Sequence, residues 1–295
     1  MNRGLPLRHL LLALAVVAVW GSNFVVIKIA LAHLPPLLFA ALRFAFALFP
    51  AVIFIRRPAV SWRNLAAYGV LIGVGQFGLL YIAIHGHISP GLASLVVQTQ
   101  VFFTIALAMR LGGERVQRFQ WAALALAAGG IGVIASHTDG VTTPLGIALV
   151  LLAALGWAGA NTVSRRAGRI DMLAYVVWSS AFAVPPLLAL SWAFEGWPAM
   201  RAGVVDADIA TWAAVLWQSV GNTLFGFAVW GWLLSRHPAA TVTPTALLVP
   251  VFGMGSSALL LGEPLQGWKL AAAGLVIGGL ALNLLWPRTP SGRPE

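Results

Sequence analysis

The feature that most constrains this chain is a series of apolar runs, each long enough to cross a lipid bilayer, that leaves little sequence for anything else. The first run, Leu10 to Ile27, holds 18 residues without a charge. A membrane-crossing helix needs about 20 predominantly apolar residues. Ten stretches qualify: 9–29, 36–55, 65–84, 91–110, 119–136, 144–163, 173–193, 211–234, 241–261 and 268–286. Turn and breaker residues such as Pro35-Pro36, Pro58, Pro90-Gly91, Gly112-Gly113, Asp139-Gly140, Pro238 and Gly262 punctuate them. Apolar/polar alternation is missing, which excludes a β-barrel. The composition agrees: 60% of the residues are hydrophobic and 9% charged, with a mean hydropathy of +0.88. Soluble domains carry about 25% charged residues. Arg3 and Arg8 before the first run, and Ala30-Leu31-Ala32 after it, imitate a secretory signal. The run exceeds the roughly 7–15 residues of a signal core, so it is read as the first span. The expected fold is an all-α integral membrane protein of ten transmembrane helices.

The net charge of +10 is distributed by side rather than in one patch. If the N-terminus faces the cytoplasm, the tails and even-numbered connections hold 14 of the 18 basic residues: Arg3, Arg8, Arg56, Arg57, Arg63, Arg110, Arg115, Arg118, Arg165, Arg166, Arg169, Arg236, Arg288 and Arg293. The opposite side holds Arg201 and Lys269, while Lys28 and Arg43 fall within spans. Such a bias sets the orientation of a membrane protein. Both termini are therefore expected in the cytoplasm, with the longest connection, 195–209, outside. A nucleic-acid partner would call for clustered charge with interleaved aromatics, and none is expected. There is no Cys, so disulfides and thiolate sites are excluded.

The chain repeats itself. Shifted by 149 residues, Leu111–Gly130 matches Leu260–Gly279 at nine of 20 positions, including Gly113, Glu114 and Gln117. Val19-Trp20-Gly21-Ser22-Asn23 more loosely faces Gly156-Trp157-Ala158-Gly159-Ala160-Asn161. The expected units are 9–137 and 143–286, each of five spans. Five is odd, so the second unit enters from the opposite side. Inverted repeats of this kind build many secondary transporters, with substrate held near the midplane.

The segments Val19-Trp20-Gly21-Ser22-Asn23-Phe24-Val25-Val26-Ile27-Lys28, Leu34-Pro35-Pro36-Leu37, Leu42-Arg43-Phe44, Pro90 through Gln100 and Leu247-Leu248-Val249-Pro250-Val251 resemble the EamA family of the drug/metabolite transporter superfamily, and within it the bacterial exporters of O-acetylserine and cysteine. The likeness runs from about residue 10 to 286. It implies ten helices in two repeats, cytoplasmic termini and efflux of an amino-acid-like substrate across the bacterial inner membrane. One departure is that Gly113-Glu114-Arg115 becomes Gly262-Glu263-Pro264.

Ionisable residues inside spans are expensive and mark function by default. Arg43 lies deep in the second span. Its guanidinium can bind a substrate carboxylate in a bidentate way, or tie down carbonyls of a broken neighbour. Lys28, near a span end, can snorkel. Gln76, Tyr81, Gln98, Gln100, Asn161 and Asn222, together with Asn23, are candidates to line a polar cavity, and Trp20 and Trp178 to wall it. Interhelical hydrogen bonding is the competing role for each. Gly73, Gly75, Gly78, Gly274 and Gly278 offer small faces for helix contact, and Pro244 and Pro250 are candidate hinges for alternating access. No metal-ligand cluster, cofactor motif or catalytic constellation stands out, so neither cofactor nor enzyme is expected. The partners are the bilayer and a small amino-acid-like molecule, and a homodimer is an allowed assembly. Two further readings stand beside export of cysteine and O-acetylserine. One is an exporter of bulkier hydrophobic or aromatic amino acids or drugs, suggested by 13 Trp; the other is a non-transporting membrane protein or a membrane enzyme.

Overall fold

The computed structural model of the chain describes residues 5–112, 117–137 and 141–286. Arg3, Gly113, Glu114, Arg115, Asp139, Gly140, Arg288 and Arg293, on which parts of the charge and repeat readings rest, lie outside the described residues. Among the described residues every regular element is helical. Among these described residues, nine helices are long and apolar enough to span a membrane: Leu7–Ala30, Pro36–Phe54, Trp62–Gly86, Pro90–Arg110, Arg118–Ser136, Pro144–Arg166, Met172–Phe194, Thr243–Leu261 and Gly267–Leu285. The eighth expected span is helical over 209–236, but Gln218, Ser219, Asn222 and Thr223 at its centre make it more polar than the others. The chain is an all-helical integral membrane protein. Side chains such as Leu259, Phe54 and Phe194 remain exposed on the outside of the bundle, where hydrocarbon rather than water is their solvent.

Local chemistry explains the boundaries. Pro36, Pro90 and Pro144 open helices at the first turn, where the missing N–H is not needed. Ser61, Thr143, Asp171 and Asp208 cap helix N-termini through their side-chain oxygens. Gly262, at φ 66°, ends the ninth span in the left-handed region that favours glycine.

Contacts between span ends show how the chain alternates. At one end, Lys28 donates to the carbonyls of Ile84 and His85, Leu37 meets Glu195, Thr143 reaches the His87 carbonyl, and His33 meets Thr211. At the other, His9 pairs with His237, Asn64 with the Val163 carbonyl, and Trp178 with the Ile55 carbonyl. The second end carries the arginines Arg8, Arg56, Arg57, Arg63, Arg165, Arg166, Arg169 and Arg236; the first is poor in them. The first span starts at the arginine-rich end and the sixth at the arginine-poor end, so the two five-span halves are inverted.

The halves interlock through glycines. A Cβ on Gly156 would lie 2.6 Å from the Gly75 backbone, and one on Gly279 would lie 2.6 Å from the Ala123 carbonyl oxygen. Such approaches let helices pack where the solvent gives no hydrophobic drive. Gly274 and Gly278, expected at contacts, have nothing within 4 Å; the packed stripe of that helix is Ala272, Val276 and Gly279. The 195–209 connection, expected only as the longest loop, contains the helix Gly196–Asp206, with Met200 and Gly203 buried. Gly203 packs against Pro35 so closely that a Cβ would come within 2.6 Å of the proline ring.

Candidate functional site

Two spans change their winding at their centres. The third is π-helical over Leu71–Gly78 and the eighth over Trp217–Phe225. A π turn widens the helix and is frequent at functional sites. In the eighth span the Thr223 hydroxyl donates to the Gln218 carbonyl five residues back, at 2.9 Å. Five residues in an α-helix are about 140° apart around the axis; here the wider turn brings Ser219 and Thr223 to Arg43 of the second span and Gln218 to Tyr81 of the third.

Arg43 meets them there, with only 1% of its surface exposed. One terminal nitrogen donates to the Tyr81 hydroxyl at 3.1 Å and the other to the Thr223 hydroxyl at 2.8 Å. Tyr81 in turn donates to Oε1 of Gln218 at 3.1 Å, and Ser219 donates to the Arg43 carbonyl at 2.9 Å. The guanidinium carbon sits 3.7 Å from the Phe77 ring centroid, a close cation–π contact. Phe39 stacks on Tyr81 at 4.7 Å. Both side-chain partners of Arg43 are hydroxyls. Neither the backbone carbonyls considered from the sequence nor any carboxylate among the described residues bonds to it. Arginine stays protonated in proteins, so a full positive charge is held inside the bundle with no counter-ion on it among the described residues. Two donors of this cluster, Arg43 Nε and Gln218 Nε2, are buried without a hydrogen-bond partner.

The other expected site residues separate into smaller groups. Asn161 donates to Oε1 of Gln100 at 3.0 Å, and Thr104 approaches the same oxygen at 3.4 Å. These three join the fourth and sixth spans. Trp20 donates to the backbone carbonyl of Asn222 at 3.1 Å and packs against Phe227 and Trp230. Gln98 is buried on the 3₁₀ turn Val97–Thr99. Asn23 and Gln76 each bury a side-chain oxygen without a donor. Trp178 lies apart, bonded to the Ile55 carbonyl at 2.9 Å and edge-on to Trp62, over which Arg57 stacks. It belongs to the arginine-rich end. Pro244 lies in the 3₁₀ segment Thr243–Leu248, and Pro250 opens the α-helix Val249–Leu261. The ninth span, like the fourth with its turn at Val97–Thr99, is thus broken.

A cavity of about 620 Å³ opens at the arginine-poor end, between the 31–37 segment, Ile82, His85 and the helix Gly196–Asp206. It holds Glu195 and Asp206 and none of the residues expected to bind substrate. Glu195 accepts from the amides of Leu37 at 2.6 Å and Leu38 at 3.1 Å and from Ser191 at 2.6 Å. Glu263 accepts from the Gly91 amide at 3.1 Å, from Lys269 at 3.1 Å, and from the hydroxyls of Ser89 and Ser257. Each carboxylate comes from the second half and caps a proline-opened helix of the first, where the helix dipole favours negative charge. These long-range caps, and Gln218, were missed from the sequence. The signal for Gln218 was the polarity at the centre of the eighth span, where the sequence reading singles out Asn222 instead.

The model of the EamA-like transporter family matches residues 7–136 and again 144–285. The chain belongs to that family. It is a membrane transporter rather than an enzyme. A probable amino-acid metabolite efflux pump of Salmonella typhimurium is 42% identical over 279 residues, covering 92% of this chain and 93% of the relative. An uncharacterised inner membrane transporter of Escherichia coli is 27% identical over 301 residues, covering 98% of this chain and 95% of its own. One crystal structure shares the fold with a TM-score of 0.59 at 19% identity, covering 94% of this chain and 96% of that one.

Proposed function

We propose that this EamA transporter exports small amino-acid metabolites, cysteine and O-acetylserine foremost, across the bacterial inner membrane. The observation that carries the reading is Arg43: a buried permanent cation with no carboxylate among the described residues, in a chain similar over nearly its full length to an amino-acid metabolite efflux pump. A substrate carboxylate is the counter-ion that a transporter of such molecules brings with it. Arg43 sits on the second span and Thr223 on the eighth, one in each inverted half. A ligand held there senses their relative movement, which is what alternating access requires. The breaks in the fourth and ninth spans, Pro244 and Pro250 among them, supply the hinges in this scheme. The basic bias puts the arginine-rich end in the cytoplasm, so a reporter fused after Glu295 is active only as a cytoplasmic fusion.

Overproduction in cells tests the reading. It should raise external cysteine or O-acetylserine and protect against an excess of either. Unchanged external levels, with the protein present in the membrane, would overturn it.

A further inference from the structure

The unpaired groups around Arg43 are chemically one-sided. Arg43 Nε and Gln218 Nε2 are both donors, both buried, and belong to side chains joined through Tyr81. The orientation of the Gln218 amide is fixed by its neighbours. Tyr81 accepts from Arg43, so its own hydrogen needs an acceptor, and Oε1 of Gln218 provides it. Reversing the amide would leave that hydroxyl hydrogen unpaired. Thr223 is equally committed, accepting from Arg43 and donating to the Gln218 carbonyl. The cluster therefore holds two free donors and a positive charge. A carboxylate has the complementary inventory: two acceptor oxygens, a negative charge and no donor. Unpaired buried donors are costly, and a membrane protein keeps a buried charge where it is used.

We propose that Arg43 and Gln218 form a carboxylate clamp across the two halves of the transporter, with Gln218 the specificity-determining residue that makes the site select substrates with a free carboxylate. This rests on the reading of Arg43 given above. The clamp joins the second span to the eighth, so a bound carboxylate links them through the two unpaired donors. Glutamate at position 218 would supply an internal counter-ion and occupy the clamp itself.

The test uses the full-length chain purified in detergent, with thermal melting and binding read together. Wild type should be stabilised by L-cysteine and O-acetyl-L-serine, and not by L-cysteinamide. Gln218→Glu should melt at or above the wild-type temperature while binding these amino acids at least about tenfold more weakly, the scale of one charge-assisted hydrogen bond. Gln218→Leu removes the free donor together with the acceptor of the Tyr81 hydroxyl and should weaken acid binding several-fold; beside Tyr81→Phe, which breaks the same Tyr81–Gln218 bond but keeps the donor, it decides the matter if the glutamate variant does not accumulate. Wild-type affinity for the acids in Gln218→Leu, or in a folded Gln218→Glu, would overturn the clamp. Equal binding of acid and amide by wild type would overturn the clamp and leave the exporter reading intact. Stabilisation by a simple carboxylate such as pyruvate, but by no amino acid, would keep the clamp and overturn the exporter reading. Binding of none of these would overturn both.

Discussion

Two cations are buried in this transporter to the same degree, and their surroundings differ. Arg43 and Lys269 are each 1% exposed. Lys269 faces a carboxylate, Glu263, at 3.1 Å, and that carboxylate is further held by Ser89, Ser257 and the Gly91 amide. Arg43 faces hydroxyls and an aromatic ring, and keeps a donor unpaired. The first arrangement closes on itself and fastens the second half to the start of the fourth span. The second holds charge in reserve. Burial is the same for both cations; the inventory of partners is what tells them apart.

Breaking the closed cluster should have the largest effect. Glu263→Leu breaks the buried ion pair with Lys269 and takes the acceptor from Ser89, Ser257 and the Gly91 amide, and is expected to cost about 3–5 kcal/mol. This would appear as a large fall in melting temperature and in the amount of protein reaching the membrane, with substrate affinity of the surviving fraction unchanged. Breaking the open cluster should show the reverse pattern. Arg43→Ala is expected to lower affinity roughly ten- to a hundredfold, the scale of a charge-assisted hydrogen bond of about 1.5–3 kcal/mol, with the smaller loss of stability. Arg43→Lys keeps the charge but loses the planar fork, so its affinity should fall between the two. Tyr81→Phe removes one acceptor of Arg43 and the donor to Gln218, and should cost about 0.6–1.7 kcal/mol, from the average to the maximum for interhelical hydrogen bonds in membranes. A fall as large as that of Glu263→Leu would mean that the Arg43 cluster is a structural core after all.

The smallest effect concerns Asp208, which caps the eighth span. The Thr211 amide holds its carboxyl below the usual carboxylate range. Its contribution to stability is present above the unfolded pKa and is lost as pH falls through the depressed folded value. Asp208→Asn keeps a capping oxygen and should flatten that acid limb slightly in melting curves recorded against pH.

Much of this architecture was legible because the bilayer makes apolar length the dominant signal. The ten spans and their inversion follow from run lengths, breakers and an odd repeat. The burial of Arg43 was equally visible, since a charge deep in an apolar run must turn into the bundle, although the run does not say whether it binds substrate or ties helices together. Its partners were less so. Tyr81 was named among ten candidates, but nothing in the one-dimensional pattern distinguishes it from Trp178, which lies at the arginine-rich end. Gln218 was hidden because its face on the eighth span depends on π winding, and no local residue pattern here announces that. Glu195 caps Leu37 from 158 positions away, and such a bond has no periodicity at all. Helix Gly196–Asp206 was missed because it is too polar and short to register as a span.

Flux through the purified wild-type protein in liposomes, set beside Arg43→Ala at equal protein and equal fold, tests the central claim most directly. Labelled O-acetylserine or cysteine should cross vesicles containing wild type and should cross vesicles containing folded Arg43→Ala at no more than about a tenth of that rate at low substrate concentration. Equal flux through both would contradict the assignment of Arg43 as the counter-ion of the substrate carboxylate.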